Sequence, residues 1–170
     1  MHFLTVTLLV SSALLTFAIE QQQYSFSEQV GTNRGTVFSL TGTERITGVR
    51  TWTNGNYIYG LQLGYGGIWS KRVGSTSTQM QEFLLHDDEA IVQVSGMYST
   101  YINGLVFGTN KGRSMFNGPM SGLSFNMYPE YEGAELRFIS GATNAATSGP
   151  LTGFAAHWAL FIPETNSTEH

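Results

Sequence analysis

Short runs of β-branched and aromatic residues, many of which alternate with polar residues, follow one another from Tyr24 onward. Gly, Asn-Gly, Ser or Thr interrupts the chain every few residues, and no window keeps the apolar spacing of an amphipathic helix. This pattern predicts an all-β domain of about ten short strands, arranged as a sandwich, a barrel or a radial array of sheets. The clearest predicted strands are 36–40, 57–63, 91–94, 105–107 and 136–139.

A repeated tripeptide narrows the choice of architecture. A hydrophobic residue, then Ser or Thr, then Gly occurs at 46–48, 94–96 and 139–141, and each copy precedes a second glycine that opens an apolar strand. The copies are 48 and 45 residues apart, which is room for four short strands per repeat. Three units are fewer than the roughly four to eight blades of a propeller. We therefore expect three sheets packed around one pseudo-threefold axis, unless the recurrence of these common dipeptides is coincidental.

The first residues differ in kind from the rest of the chain. Residues 3–19 carry no charge, and 16–18 (Thr-Phe-Ala) places small residues at both positions that define a cleavage site. This predicts a signal peptide over residues 1–18 and a secreted product. A membrane anchor is the alternative, but the segment is at the short limit of about 17 to 25 residues and is diluted by Ser and Thr. We expect no membrane span elsewhere.

Composition excludes several classes of function. The 170 residues suit one domain, and 12% charged against 41% hydrophobic residues exclude a disordered chain or a charged coiled coil. The absence of cysteine excludes a disulfide framework, a thiolate zinc site and a thiol nucleophile. The net charge of −4 gives no basic surface for nucleic acid, and no nucleophile-elbow, phosphate-loop or His-Glu-x-x-His motif indicates an enzyme.

Five segments carry a more specific signal, because they agree in order and spacing with one family. They are 57–70, 92–96, 105–113, 136–141 and 157–158. In these segments the chain is similar to the jacalin-related lectin domain, and most of all to the animal branch typified by the zymogen granule membrane lectins. The similarity covers residues 24–163 and leaves 164–170 as a polar C-terminal tail.

The resemblance implies a β-prism I fold, in which three four-stranded Greek-key sheets have the pseudo-threefold symmetry that the repeat predicts. It also implies calcium-independent binding of mannose-type sugars, with no catalysis and no cofactor. The expected protein is a secreted, extracellular lectin that recognises neutral or mannose-type glycans on microbial or mucosal surfaces. A homodimer formed through an edge strand is left open.

In this family the sugar lies at one end of the prism among three loops. The resemblance implies that these loops correspond here to 31–36, 99–101 and 148–152. A glycine-rich first loop lets the backbone approach the sugar, and an Asp in the last loop supplies a charged acceptor. The carbohydrate-binding candidates are Gly31, Asn33, Arg34, Gly35, Ser99, Thr100, Tyr101, Ser148, Gly149, Leu151 and Thr152.

Two loops depart from the family pattern. Asn33 and Arg34 stand where the relatives have adjacent glycines, and Thr152 stands where they have Asp. Replacing a carboxylate by a hydroxyl loses about 1 to 2 kcal/mol per charge-assisted hydrogen bond. Millimolar binding corresponds to only about −4 kcal/mol, so the loss favours another neutral glycan over mannose.

Two alternatives stay open. The chain is a structural protein of secretory granules or mucus whose sugar site has decayed, or it binds glycosaminoglycans weakly. The second is less favoured, because the Lys and Arg residues are scattered and the net charge is negative.

Other residues have secondary interpretations. The segment 86–89 (His-Asp-Asp-Glu) is interpreted as a charged turn rather than a metal site, and His157 as a structural residue. Asn166 begins an acceptor sequon for N-glycosylation. Four tyrosines offer rings that stack on sugar faces, and among them Tyr101 is favoured while the others are interpreted as half-buried strand residues. The four are Tyr98, Tyr101, Tyr128 and Tyr131.

Overall fold

The computed structural model describes residues 23–75, 79–144 and 149–161, and these residues form strands and turns without a helix. Accordingly, no helix in this part of the chain meets the length and hydropathy needed to cross a membrane. The all-β prediction is confirmed. The strands are β1 (Tyr24–Phe26), β2 (Val30–Gly31), β3 (Thr36–Leu40), β4 (Ile46–Thr53), β5 (Ile58–Tyr65), β6 (Ile68–Trp69), β7 (Val73–Gly74), β8 (Gln79–Leu84), β9 (Ile91–Tyr98), β10 (Ile102–Thr109), β11 (Ser114–Asn117), β12 (Leu123–Met127), β13 (Glu135–Thr143) and β14 (Leu151–Ala159).

The strands form three antiparallel sheets, as the repeat predicts. The first sheet has the order β1-β14-β13-β3, the second β6-β5-β4-β8 and the third β11-β10-β9-β12. Two sheets carry an additional two-residue strand, since β2 pairs with β14 and β7 pairs with β5. Each main path therefore has four strands, and the first sheet unites the beginning and the end of the described chain.

The repeated tripeptides occupy equivalent places in the three sheets. They lie in β4, β9 and β13, and the second glycine of each repeat lies in the hairpin partner β5, β10 or β14. At two of these positions glycine is needed because the strands approach closely. A Cβ on Gly96 would lie 2.1 Å from the carbonyl oxygen of Gly104, and one on Gly141 would lie 2.1 Å from that of Gly153. The recurrence is structural rather than coincidental.

The core lies between the inner faces of the sheets and takes large side chains from all three. Leu61 of the second sheet, Phe107 of the third and Phe154 of the first are each 0% exposed. Full burial of such a side chain contributes about 1.5 to 3 kcal/mol. Trp158 is also buried, and its indole nitrogen donates a hydrogen bond to Ser27 Oγ at 2.8 Å. This bond ties the segment after β1 to the last strand.

Strand β14 fixes the start of the first predicted loop through its pairing with β2. β2 pairs with β14 in a register that sets Gly31 opposite Gly153 and Val30 opposite Phe154. Gly31 has φ +89°, and a Cβ built on it would lie 2.3 Å from the carbonyl oxygen of Thr152. The close approach of these two backbones fixes where the first loop begins.

We expect Gly31→Ala to destabilise the fold more than Gly55→Ala. Gly55 has nearly the same φ, +91°, but its Cβ would meet nothing within 4 Å. Both variants pay the left-handed backbone cost, whereas only the first must also displace the Thr152 carbonyl. The predicted difference in unfolding free energy is about 1 to 3 kcal/mol, measured by urea denaturation. Equal losses of unfolding free energy in the two variants would contradict this prediction, because they would show that the Thr152 carbonyl can move away from residue 31 at little cost.

Candidate functional site

The first and middle loops meet at one end of the molecule, where they also contact the start of β14. Thr32 Oγ1 donates a hydrogen bond to the carbonyl oxygen of Thr100 at 3.2 Å. Thr152 Oγ1 donates to the carbonyl oxygen of Arg34 at 2.6 Å, and the Asn33 amide donates to the carbonyl oxygen of Thr152 at 3.0 Å. Loops from the first and third sheets are therefore connected by hydrogen bonds.

The first loop, residues 32–35 between β2 and β3, has positive φ angles although Asn33 and Arg34 precede its glycine, Gly35. Asn33 has φ +52° and Gly35 has φ +106°. Asn tolerates the left-handed region better than most residues, so the chain follows a path that Gly would also take. Residues 32–35 are all exposed, which leaves the Asn33 and Arg34 side chains at the surface.

The middle loop, residues 99–101 between β9 and β10, is a tight turn with polar groups at its tip. The Ser99 amide donates to the carbonyl oxygen of Tyr101 at 2.8 Å, and Ser99 Oγ donates to Asn103 Oδ1 at 3.1 Å. Asn103 is buried and donates from Nδ2 to the carbonyl oxygen of Ser121 at 2.7 Å. Ser99 and Thr100 are exposed and Tyr101 is half-buried.

The last predicted segment lies deeper than the other two. Gly149 is buried, Leu151 is 0% exposed within the core, and Thr152 is 2% exposed. Ser148 lies outside the described residues. The hydroxyl proton of Thr152 is already engaged by the Arg34 carbonyl. In the described part of the chain, the first and middle loops therefore present exposed polar groups at this end, whereas Leu151 and Thr152 do not.

Sequence reasoning missed Tyr57. Its prediction as a strand residue was wrong, because β5 begins at Ile58 and Tyr57 closes the hairpin between β4 and β5. The Tyr57 ring packs edge-on against the Tyr101 ring, with centroids 5.0 Å apart and planes at 65°. An aromatic residue directly after an Asn-Gly turn was the available signal, but its contact with the middle loop is not visible in the sequence.

The other tyrosines lie away from this contact. Tyr98 tilts against Phe125, with centroids 6.2 Å apart, and Tyr131 packs on the core from the opposite end of the molecule. Tyr128 directly follows β12 and is 56% exposed, and Tyr131 lies between β12 and β13, so the interpretation of these two tyrosines as half-buried strand residues was wrong. Tyr101 is thus the tyrosine of the predicted four that belongs to the middle loop.

His157 lies on the first sheet, away from the loops. Its ring stacks on Phe138 with centroids 4.1 Å apart, and its Nε2 lies 2.7 Å from Ser140 Oγ. Nδ1 is buried without a hydrogen-bond partner among the described residues. Burial lowers the pKa of His157 and favours its neutral form.

The segment 86–89 forms a charged turn at the end opposite the loops. Burial disfavours the charged form of Glu89, but hydrogen bonds from the Thr109 hydroxyl and the His86 amide, with the charge of Arg113, outweigh it and lower the pKa of Glu89. Among the described residues no group of three or more His, Asp or Glu side chains is placed to hold a metal ion.

Ion pairs among the described residues engage four of the eight basic side chains. The chain has eight Lys and Arg residues, and four of them contact carboxylates. The pairs are Arg45–Glu135, Arg50–Glu82, Lys111–Asp88 and Arg113–Glu89. Since a paired cation attracts an external anion less, these four side chains contribute less to binding a polyanion.

Two concave regions are lined mainly by residues outside the three loops. A cavity of about 440 Å³ at the opposite end is lined by Arg45, Asn110 and the segment 129–135. A groove of about 290 Å³ runs along the edge of β3 and is lined by residues 36–40, 71–73 and Thr143.

Comparison with known proteins gives consistent matches. The model of the jacalin-like lectin domain matches residues 27–149. Zymogen granule membrane protein 16 of Rattus norvegicus is 37% identical over 153 residues, which cover 88% of this chain and 89% of that protein. The Homo sapiens protein of the same name is 38% identical over 147 residues, which cover 85% of this chain and 86% of that protein.

A solved structure supports the fold. The prostate-specific WGA16 glycoprotein lectin superposes with a TM-score of 0.69 at 28% identity, and the match covers 80% of this chain and 99% of that one. The β-prism I prediction is confirmed by this superposition together with the match to the jacalin-like lectin domain.

We expect Thr152→Val to lower stability and loosen the first loop. Valine keeps the shape of the buried side chain but cannot donate to the Arg34 carbonyl, which costs about 0.5 to 1.5 kcal/mol in urea unfolding. Thr143→Val is the matched control, because Thr143 is equally buried at 2% exposure but its hydroxyl is 3.5 Å from the Thr36 carbonyl oxygen. Faster amide exchange at residues 33–35 should accompany the loss in Thr152→Val alone. Equal effects of the two substitutions would contradict the role given to the Thr152 hydroxyl.

Proposed function

Because the chain belongs to the jacalin-like lectin domain family, we propose that it is a secreted, non-catalytic lectin for neutral or mannose-type glycans on microbial or mucosal surfaces. The family and its lectin neighbours support carbohydrate binding as the general activity. The observation that carries the finer proposal is the hydrogen-bonded contact between the first and middle loops, which presents exposed polar groups at one end of the prism.

The chemistry of these loops suits sugar hydroxyls. Sugars offer many donors and acceptors in a fixed arrangement, so a site gains affinity when its own polar groups are held in place before binding. The Ser99–Asn103 bond and the Thr152–Arg34 bond supply that order. Tyr101 adds an aromatic surface with a polar tip, which packs on the apolar face of a sugar ring.

A neutral glycan fits the charge distribution better than a sulfated one. Half of the basic side chains are in ion pairs with carboxylates, and the chain has a formal net charge of −4. Lys71 and Arg72 line the groove beside β3 rather than the tip of the middle loop. Weak binding of glycosaminoglycans is therefore the less favoured alternative.

The buried Thr152 sets the expected strength of binding. Its hydroxyl donates to the Arg34 carbonyl and offers a ligand no charged acceptor. Losing a charge-assisted bond weakens binding by about 1 to 2 kcal/mol, so we expect monovalent dissociation constants at or above roughly the millimolar range. Useful binding to a surface would then need several copies of the site.

The same observation favours one rival from another class. If the site has decayed, the chain is a structural protein of secretory granules or mucus that keeps the prism without binding sugar. The engaged Thr152 hydroxyl and the buried Leu151 support that interpretation. Binding experiments separate it from the lectin proposal.

A glycan array tests the proposal directly. Protein recovered from the culture medium of cells expressing the full chain should bind neutral or mannose-type glycans when it is presented multivalently, and salt should change the signal little. Tyr101→Ala should weaken that signal, because it removes the aromatic surface of the middle loop. Tyr128→Ala should leave it unchanged, because Tyr128 is an exposed tyrosine of the opposite end.

Other outcomes of the glycan array and of the secretion test would contradict parts of the proposal. Binding to heparin alone, lost as salt is raised, would favour the glycosaminoglycan alternative. Silence on all neutral glycans would contradict the lectin proposal and favour the structural one. Absence of the protein from the medium would contradict secretion.

A further inference from the structure

The hairpin between β4 and β5 holds Tyr57 in a fixed backbone position. Thr53 Oγ1 donates to the carbonyl oxygen of Tyr57 at 2.9 Å and accepts from the Gly55 amide at 3.0 Å. Asn54 Oδ1 accepts from the amides of Asn56 and Tyr57 at 2.9 and 3.0 Å. Side chains of the turn's own residues make these hydrogen bonds, so the turn is ordered before any ligand binds.

Contacts link this hairpin to the proposed sugar site. From Thr152 they run to Arg34 in the first loop, then from Thr32 to Thr100 in the middle loop, and finally from Tyr101 to Tyr57. The hairpin belongs to the second sheet, whereas the two loops belong to the first and third sheets. All three sheets therefore contribute to one continuous end surface, and the second sheet contributes Tyr57 to it.

Tyr57 is only half-buried, so part of its side chain stays accessible beside the Tyr101 ring. Edge-on packing at 65° leaves two aromatic surfaces that face different directions. A single sugar held by the first and middle loops meets Tyr101 first. A further sugar unit extending past Tyr101 would next meet Tyr57, whose ring offers the amphipathic surface that sugar rings pack on.

We propose that Tyr57 forms an outer subsite for a second saccharide unit, so that the chain prefers oligosaccharides to monosaccharides. This inference rests on the proposed lectin function. Its energetic contribution is that of one aromatic contact at a partly exposed position, which corresponds to about a two- to tenfold gain in affinity for the longer ligand.

A purely structural role for Tyr57 makes a different prediction. If Tyr57 only supports the Tyr101 ring, its removal should weaken the binding of a monosaccharide and an oligosaccharide by the same factor. If it forms the outer subsite, its removal should weaken oligosaccharide binding alone. The ratio of the two affinities therefore separates the roles.

The experiment measures the affinities of methyl α-mannoside and α-linked mannotriose by NMR titration of the full chain. The wild type should bind mannotriose about two- to tenfold more tightly than the monosaccharide. Tyr57→Ala should bring this ratio close to one while changing methyl mannoside affinity less than about twofold. Tyr57→Phe should keep the ratio, since it keeps the ring. Tyr128→Ala is the control for loss of an exposed tyrosine elsewhere.

If Tyr57→Ala does not fold, Tyr57→Leu carries the same test, because it fills space in the hairpin but has no aromatic face. An unchanged ratio in either folded variant, or equal loss for both ligands, would overturn the outer subsite and leave the lectin proposal standing. Failure of the wild type to bind either ligand would contradict mannose-type binding, and the outer subsite would fail with it.

Discussion

The pairing of β14 with neighbours on both sides is the interaction on which the rest of the structure depends. β13 pairs along one edge of this strand, and β1 and β2 pair along the other. The same strand places Phe154 and Trp158 in the core. Through β2 it also fixes the start of the first loop, because Gly31 lies opposite Gly153. Packing and site geometry are thus set by one strand.

That dependence explains why the loop end is ordered. Hydrogen bonds satisfy the polar backbone where the first loop crosses β14, and this leaves the Thr152 hydroxyl engaged inside the protein. The ligand surface is then formed by the loop tips and by tyrosines from the second and third sheets. Weak contacts on a pre-ordered surface are consistent with a lectin that gains strength from several copies.

The sequence predicts much of the fold because the repeated tripeptides mark the central hairpin of each sheet, and in two of the sheets close strand approach requires their glycine. The sequence does not predict the burial of Thr152, because the strand register decides which face of the sheet a side chain lies on. The sequence also does not predict the Tyr57–Tyr101 contact, because this contact joins two sheets and its residues are 44 positions apart in the chain. Local patterns carry neither kind of information. The signal peptide over residues 1–18, the Asn166 sequon and the tail 164–170 lie outside the described residues and stay predictions.

Chemical-shift mapping of the ¹⁵N-labelled protein with a glycan ligand tests most directly whether this end is the binding surface. Titration with mannotriose should shift amides of residues 31–35, 99–101 and 54–57 and leave those of residues 129–135, at the opposite cavity, unchanged. Shifts centred on the opposite cavity or on the groove beside β3, or no shifts at any concentration, would contradict the assignment of this end as a glycan site.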